Sequence, residues 1–210
     1  MDTIKAKECY NALLAQKLID EFEKRNIEGF YCKTKEEALK KVLEMIPKDN
    51  LVSWGGSLTL DEIGLKAALK NEGYNCLDPA EPQGGKEKEQ AARQALSADF
   101  FLMSSNAIAV TGELVNIDGI GNRVAALCFG PKTVIIVAGL NKAEPNLDAA
   151  ILRVKDYAAK MGASAYKQDY SSYEELSKAA EGGCSQLVIT QKSMFKGRIK
   201  VILVGENLGI

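Results

Sequence analysis

A chain of 210 residues, 46% hydrophobic and 26% charged, has ordinary globular composition and is long enough to bury about 70% of its unfolded surface without staples. A net charge of -1 excludes a nucleic-acid binder that works by bulk electrostatics. The absence of histidine excludes Ser-His-Asp and Cys-His nucleophile systems, histidine bases and histidine metal sites, leaving proton chemistry to Asp, Glu, Lys, Tyr or Cys.

From Lys5 to Arg25 the spacing of Leu14, Leu18 and Phe22 predicts an amphipathic helix. Thr34-Lys35-Glu36-Glu37 reads as a capping box opening a second helix that runs to about Ile46. Leu51 to Trp54 reads as a buried strand. Gly55-Gly56-Ser57 then turns the chain into a capping box at Thr59-Leu60-Asp61-Glu62 and a helix to about Asn71. A short strand near Tyr74–Leu77, a polar helix around Lys86–Leu96 and a strand over Asp99–Met103 follow. Residues 104–123 are dense in Asn, Asp, Gly, Ser and Thr, and Thr111-Gly112-Glu113 between two apolar pieces predicts a tight hairpin.

After a helix over Asn122–Phe129, the consecutive Val134-Ile135-Ile136-Val137 predicts a strand covered on both faces, as in a parallel sheet. A helix over about Asn146–Lys160, a short helix opened at Ser171-Ser172 and strands at Gln186–Thr190 and Ile199–Val204 complete the chain. Alternating strands and helices of this length give an α/β fold, a mostly parallel sheet with helices on both faces and a small β-hairpin insertion. The expected organisation is one domain over residues 1–210, its first 50 residues a helical part packed on the α/β core.

The charged N-terminus lacks the apolar core of a signal peptide, and no stretch is apolar enough to span a bilayer, so a cytoplasmic protein without membrane partners is expected. The five cysteines, Cys9, Cys32, Cys76, Cys128 and Cys184, form no C-x-x-C pair and read as reduced thiols.

Ligands of open α/β sheets sit beyond the carboxyl ends of the strands. Gly55-Gly56-Ser57, with Thr59 and Glu62 after it, is either a ligand loop or a structural turn. The stretch Asn116-Ile117-Asp118-Gly119-Ile120-Gly121-Asn122-Arg123 is richer than a turn requires. With Asn106 before it and Asn141-Lys142 after the next strand, it forms a second ligand-binding candidate. Arg123 could clamp a carboxylate or phosphate. Glu113, at the hairpin tip, and Asp118 are the acid/base or nucleophile candidates. Asp61, Glu113 and Asp118 could hold Mg²⁺ only if folding gathers them, and no metal site is assigned.

The segments Val52 to Leu65, Asn116 to Ala125 and Gly197 to Gly209 resemble the LUD (lactate-utilisation) domain, with a likeness to its lactate-utilisation protein C type. The resemblance implies the fold of the ribose-5-phosphate isomerase, glucosamine-6-phosphate deaminase and CoA-transferase group. In that group loops after parallel strands bind phosphorylated sugars, CoA thioesters or nucleotides. It makes Gly55-Gly56-Ser57 and Gly119-Ile120-Gly121-Asn122-Arg123 ligand loops, and Glu113 an analogue by position of the CoA-transferase carboxylate. Some members act beside iron–sulfur oxidoreductase subunits that convert L-lactate to pyruvate. Because Cys184 stands alone, no iron–sulfur cluster is expected in this chain. Two functions follow: binding, with or without turnover, of a small anionic metabolite (a phosphate, CoA ester or short carboxylate), or a non-catalytic accessory role in a lactate-oxidising complex. A homodimer is compatible with either. A closed pocket with Glu113 or Asp118 pointing inward separates the first from the second, which needs an apolar surface rimmed by polar groups.

Overall fold

A computed structural model describes residues 2–210. Helix α1 (Thr3–Glu23) is capped by Asp2 and buries Ala15, Leu18 and Phe22. It packs on β1 (Glu28–Cys32), a strand that the short, mixed sequence Glu-Gly-Phe-Tyr-Cys does not announce. The N-terminal part is therefore not helical throughout, because it contributes an edge strand to the sheet. Helix α2 (Lys35–Met45) carries the expected cap, with the Glu37 N–H donating to the Thr34 hydroxyl. Then come β2 (Val52–Trp54), α3 (Leu58–Glu62), α4 (Leu65–Asn71), β3 (Cys76–Leu77), α5 (Gly85–Ala95) and β4 (Phe100–Met103).

The hairpin is β5 (Ala107–Ala109) and β6 (Leu114–Asp118), followed by α6 (Asn122–Cys128), β7 (Thr133–Gly139) and β8 (Ala143–Glu144). Helix α7 (Leu147–Arg153) continues through a π-helical stretch, Val154–Ala158, into α8 (Ala159–Tyr166), so this helical run outlasts the predicted end at Lys160. The last elements are α9 (Tyr173–Gly182), β9 (Gln186–Thr190) and β10 (Ile199–Val204).

Six strands form a wholly parallel sheet in the order β1-β10-β7-β4-β2-β3. Its two apolar faces alternate along the strands. Val134 and Ile136 of β7 join α1, Ala95 of α5 and Ala126 and Leu127 of α6 on one side. Ile135 and Val137 join Val42, Leu60, Leu65 and Leu69 on the other. That double burial is what a consecutive apolar strand requires. The hairpin pairs with β8 and β9 into a second, mixed sheet, ordered β8-β5-β6-β9, which rests on α7, α8 and α9 through Ala150, Val154, Ala159 and Ala180. No helix among the described residues is long and apolar enough to cross a membrane.

Candidate functional site

In a parallel sheet every carboxyl end lies on one edge. The loops after β2, β4, β7 and β10 therefore converge there, at Gly55–Thr59, Ser104–Asn106, Leu140–Lys142 and Gly205–Gly209. The chain leaves β2 for β3 on one side and returns to β4 on the other, so the strand order reverses between β2 and β4. Such reversals open a crevice.

Lys142 reaches into this crevice from the turn after β7. Its ammonium donates to Thr59 Oγ1, from the β2 side, and to Ser104 Oγ, from the β4 side, at 2.9 Å each. The two hydroxyls also bond each other at 3.3 Å. Lys142 is only 2% exposed, and among the described residues no carboxylate lies within ion-pair distance of it. Burial, together with the positive charges of Arg153 and Arg123, lowers its pKa to about 7 against the opposing pull of Glu62.

Arg123 is a clip. Its guanidinium donates to the Ser104 carbonyl, Asn116 Oδ1, Asn106 Oδ1 and the Ile117 carbonyl, and its Nε stands 3.3 Å from Asp118 Oδ2. The aliphatic stem lies on Gly55, where a Cβ would come within 3.2 Å of it, so glycine makes room for the arginine. The sequence-predicted Gly55, Asn106, Asn116, Asp118 and Arg123 are thus brought together, as the scaffold that fixes Ser104. The buried Nδ2 of Asn116 finds no acceptor among the described residues.

A strap crosses the site. Leu208 exchanges two hydrogen bonds with the Asn141 side chain, at 3.1 and 3.4 Å, and the Gly209 N–H donates to Glu62 Oε2 at 2.7 Å. Gly209 has a φ of +60°, and a Cβ there would lie 2.3 Å from Thr59 Oγ1 and 3.1 Å from Lys142 Nζ. Outside the strap lies a cleft of about 530 Å³, whose lining includes Asn141, Glu144, Arg153, Tyr157, Asn207 and Gly209. Arg153 is 9% exposed there, donating to the Asn106 carbonyl with its Nε 3.5 Å from Glu144.

Of the other predicted residues, Ser57 caps α3 in place of Thr59, because the helix starts at Leu58, two residues earlier than the capping box implied. That frees the Thr59 hydroxyl for Lys142. Asp118 Oδ1 accepts from the Gly121 N–H and so braces the turn through Gly119 into α6, which opens at Asn122. Gly56 is exposed at the rim. Glu113 does not face Lys142: Arg25 holds its carboxylate at 2.6 Å and Thr111 bonds its other oxygen. Among the described residues, Asp61, Glu113 and Asp118 form no metal-ligating group.

Sequence reasoning did not single out Ser104, Arg153 or Gly209. Ser104 had a signal, as the first polar residue after the apolar Phe100–Met103. Arg153 had none, since a basic residue in an amphipathic helix usually faces solvent.

The LUD domain family model matches residues 15–204. No curated protein matches the chain. Among solved structures, a DUF162 family protein from Deinococcus radiodurans aligns with a TM-score of 0.54 at 16% identity, over 92% of this chain and 98% of that one. At that identity the likeness concerns the fold.

Proposed function

This chain belongs to the LUD domain family, and from that premise we propose that it binds a small anionic metabolite at the Lys142 crevice, in the cytoplasm, as a ligand-binding protein or an enzyme. One observation carries the reading: an ammonium buried among hydroxyls, with Arg123 and Arg153 near and no carboxylate paired to it. An uncompensated buried charge is costly, and an anion bound beside it offsets that cost. The adjoining cleft of about 530 Å³ is of a size that takes a small metabolite. A phosphate, a CoA ester whose acyl end enters the cleft, or a short carboxylate suits this chemistry.

The test is a thermal-shift screen of short carboxylates, sugar phosphates and CoA esters against the wild type and Lys142→Met. A ligand at a hundred times its Kd adds about 2.7 kcal/mol, which raises Tm by a few degrees. The shift is expected in the wild type and absent in the variant. An equal shift in both proteins, or none in either, counts against the crevice.

A second reading, an accessory subunit of an L-lactate-oxidising complex beside iron–sulfur oxidoreductase subunits, draws on a different surface. At the opposite edge of the sheet, where β7 and β10 begin, a groove of about 970 Å³ is lined by Phe129, Met194 and Phe195 among Lys132, Lys192 and Lys196. Phe129 and Met194 are 88% and 85% exposed. Exposed apolar groups rimmed by charge are typical of protein contacts. Co-expression with the oxidoreductase subunits tests it: Phe129→Ser with Met194→Ser should abolish co-migration, and unchanged co-migration removes this reading.

A further inference from the structure

Lysines whose amine is desolvated or set beside other cations are the ones that act as nucleophiles. Lys142 meets both conditions, being 2% exposed and under the positive charges of Arg153 and Arg123. We propose that Lys142 condenses with the carbonyl group of a small aldehyde or ketone that carries a carboxylate or phosphate, holding it as an imine.

The step is balanced without any redox partner. The Nζ lone pair forms the C–N bond as the carbonyl π pair moves to oxygen. That oxygen takes up a proton, and the nitrogen gives one up. Loss of water from the carbinolamine then leaves the C=N bond. Thr59 Oγ1 and Ser104 Oγ, each 2.9 Å from Nζ and 3.3 Å from each other, are placed to pass the proton between nitrogen and oxygen. Arg153, in the cleft wall, faces the anionic substituent with a charge. Burial and the neighbouring guanidinium groups lower its pKa to about 7, which raises the share of free amine at neutral pH far above that of an ordinary lysine, less than about one part in a thousand.

Access is through the strap. Gly209 lines the cleft on one side and lies against Thr59 and Lys142 on the other, so it separates the cleft from the amine. Three hydrogen bonds hold it closed, two between Asn141 and Leu208 and one from Gly209 to Glu62. Releasing them joins cleft and crevice.

This inference rests on the anion-binding reading, and the experiment separates the two. The protein is incubated with sodium cyanoborohydride and either glyoxylate or pyruvate, for the carboxylate source, or glyceraldehyde 3-phosphate, for the phosphate source, and its peptides are mapped by mass. One saturable adduct on the Lys142 peptide is expected in at least one arm, lost in Lys142→Met and formed faster in Asn141→Ala, which loosens the strap. Mapping on the wild type locates the adduct even if a variant folds poorly. Label spread equally over surface lysines, or no adduct in any arm, overturns the amine chemistry. A thermal shift by the same probe, abolished by Lys142→Met but with no adduct, overturns the imine and leaves the anion site standing. Neither shift nor adduct overturns both.

Discussion

Burying an ammonium beside two guanidinium groups costs folding free energy, and at Lys142 that cost depends on pH. Its pKa falls from 10.5 unfolded to about 7 folded. Between those values the unfolded chain binds more protons than the folded one, so stability rises with pH across that window. The penalty is complete below pH 7 and gone above 10.5, with Arg123, Arg153 and Glu62 as the charges that set it. Lys142→Met removes it, and the Thr59 and Ser104 hydroxyls can still bond each other. The variant should therefore be more stable than the wild type by roughly 3–5 kcal/mol at pH 6, the difference shrinking by about 1.4 kcal/mol per pH unit above pH 7. Denaturant unfolding across that range measures it, and a gain that does not vary with pH places the proton elsewhere. At Gly209 the left-handed φ and the 2.3 Å approach of a Cβ to Thr59 Oγ1 mean that Gly209→Ala must displace the strap. A loss of about 1–3 kcal/mol, with Lys142 reacting faster than in the wild type with small carbonyl reagents, is the expected result.

At the scale of elements, Arg123 joins the loop after β4 to the end of β6 while its stem covers Gly55 after β2. Five contacts from one guanidinium leave several buried acceptors without donors when it is removed, and a lysine cannot reproduce the fork. Arg123→Lys should cost about 2–4 kcal/mol, with amide exchange accelerated at 104–106 and 116–118 and unchanged in β7 and β10. Exchange that rises uniformly would instead mean that the clip holds the entire fold.

The same loops show what could be read beforehand. The Gly55, Asn116 and Arg123 segments stand out by composition, and the strands β7 and β10 by their apolar runs, because burial on both faces selects consecutive apolar residues in place of an alternation. β1 escaped, since four half-buried residues, one of them a glycine, and a buried cysteine become a strand only through pairing with β10. Both Ser57 and Thr59 have the chemistry of a cap, and a two-residue difference in where the helix starts decides between them. Arg153 and the Gly209 strap reach the site through tertiary placement alone, which no local pattern encodes.

The molecule as a whole presents two different ends. The carboxyl edge of the parallel sheet carries the polar Lys142 crevice, and the amino edge carries the groove of Phe129, Met194 and Phe195. Strand β7 runs between them over the seven residues from Thr133 to Gly139, and at about 3.3 Å per residue that is roughly 20 Å. Sites farther apart than about 7–10 Å with no shared partners usually perturb stability independently, to within about 0.5 kcal/mol. Phe129→Ser with Met194→Ser changes only exposed side chains, so it should leave stability within about 0.5 kcal/mol of the wild type and leave any anion-induced thermal shift intact. Combined with Lys142→Met, its effect on stability should simply add. A double-mutant cycle read by denaturant unfolding, with and without the best anion from the thermal-shift screen, measures both quantities. A coupling well above 0.5 kcal/mol, appearing only with the anion bound, would show that crevice and groove communicate through β7, and the two readings of function would then describe one mechanism instead of two separate surfaces.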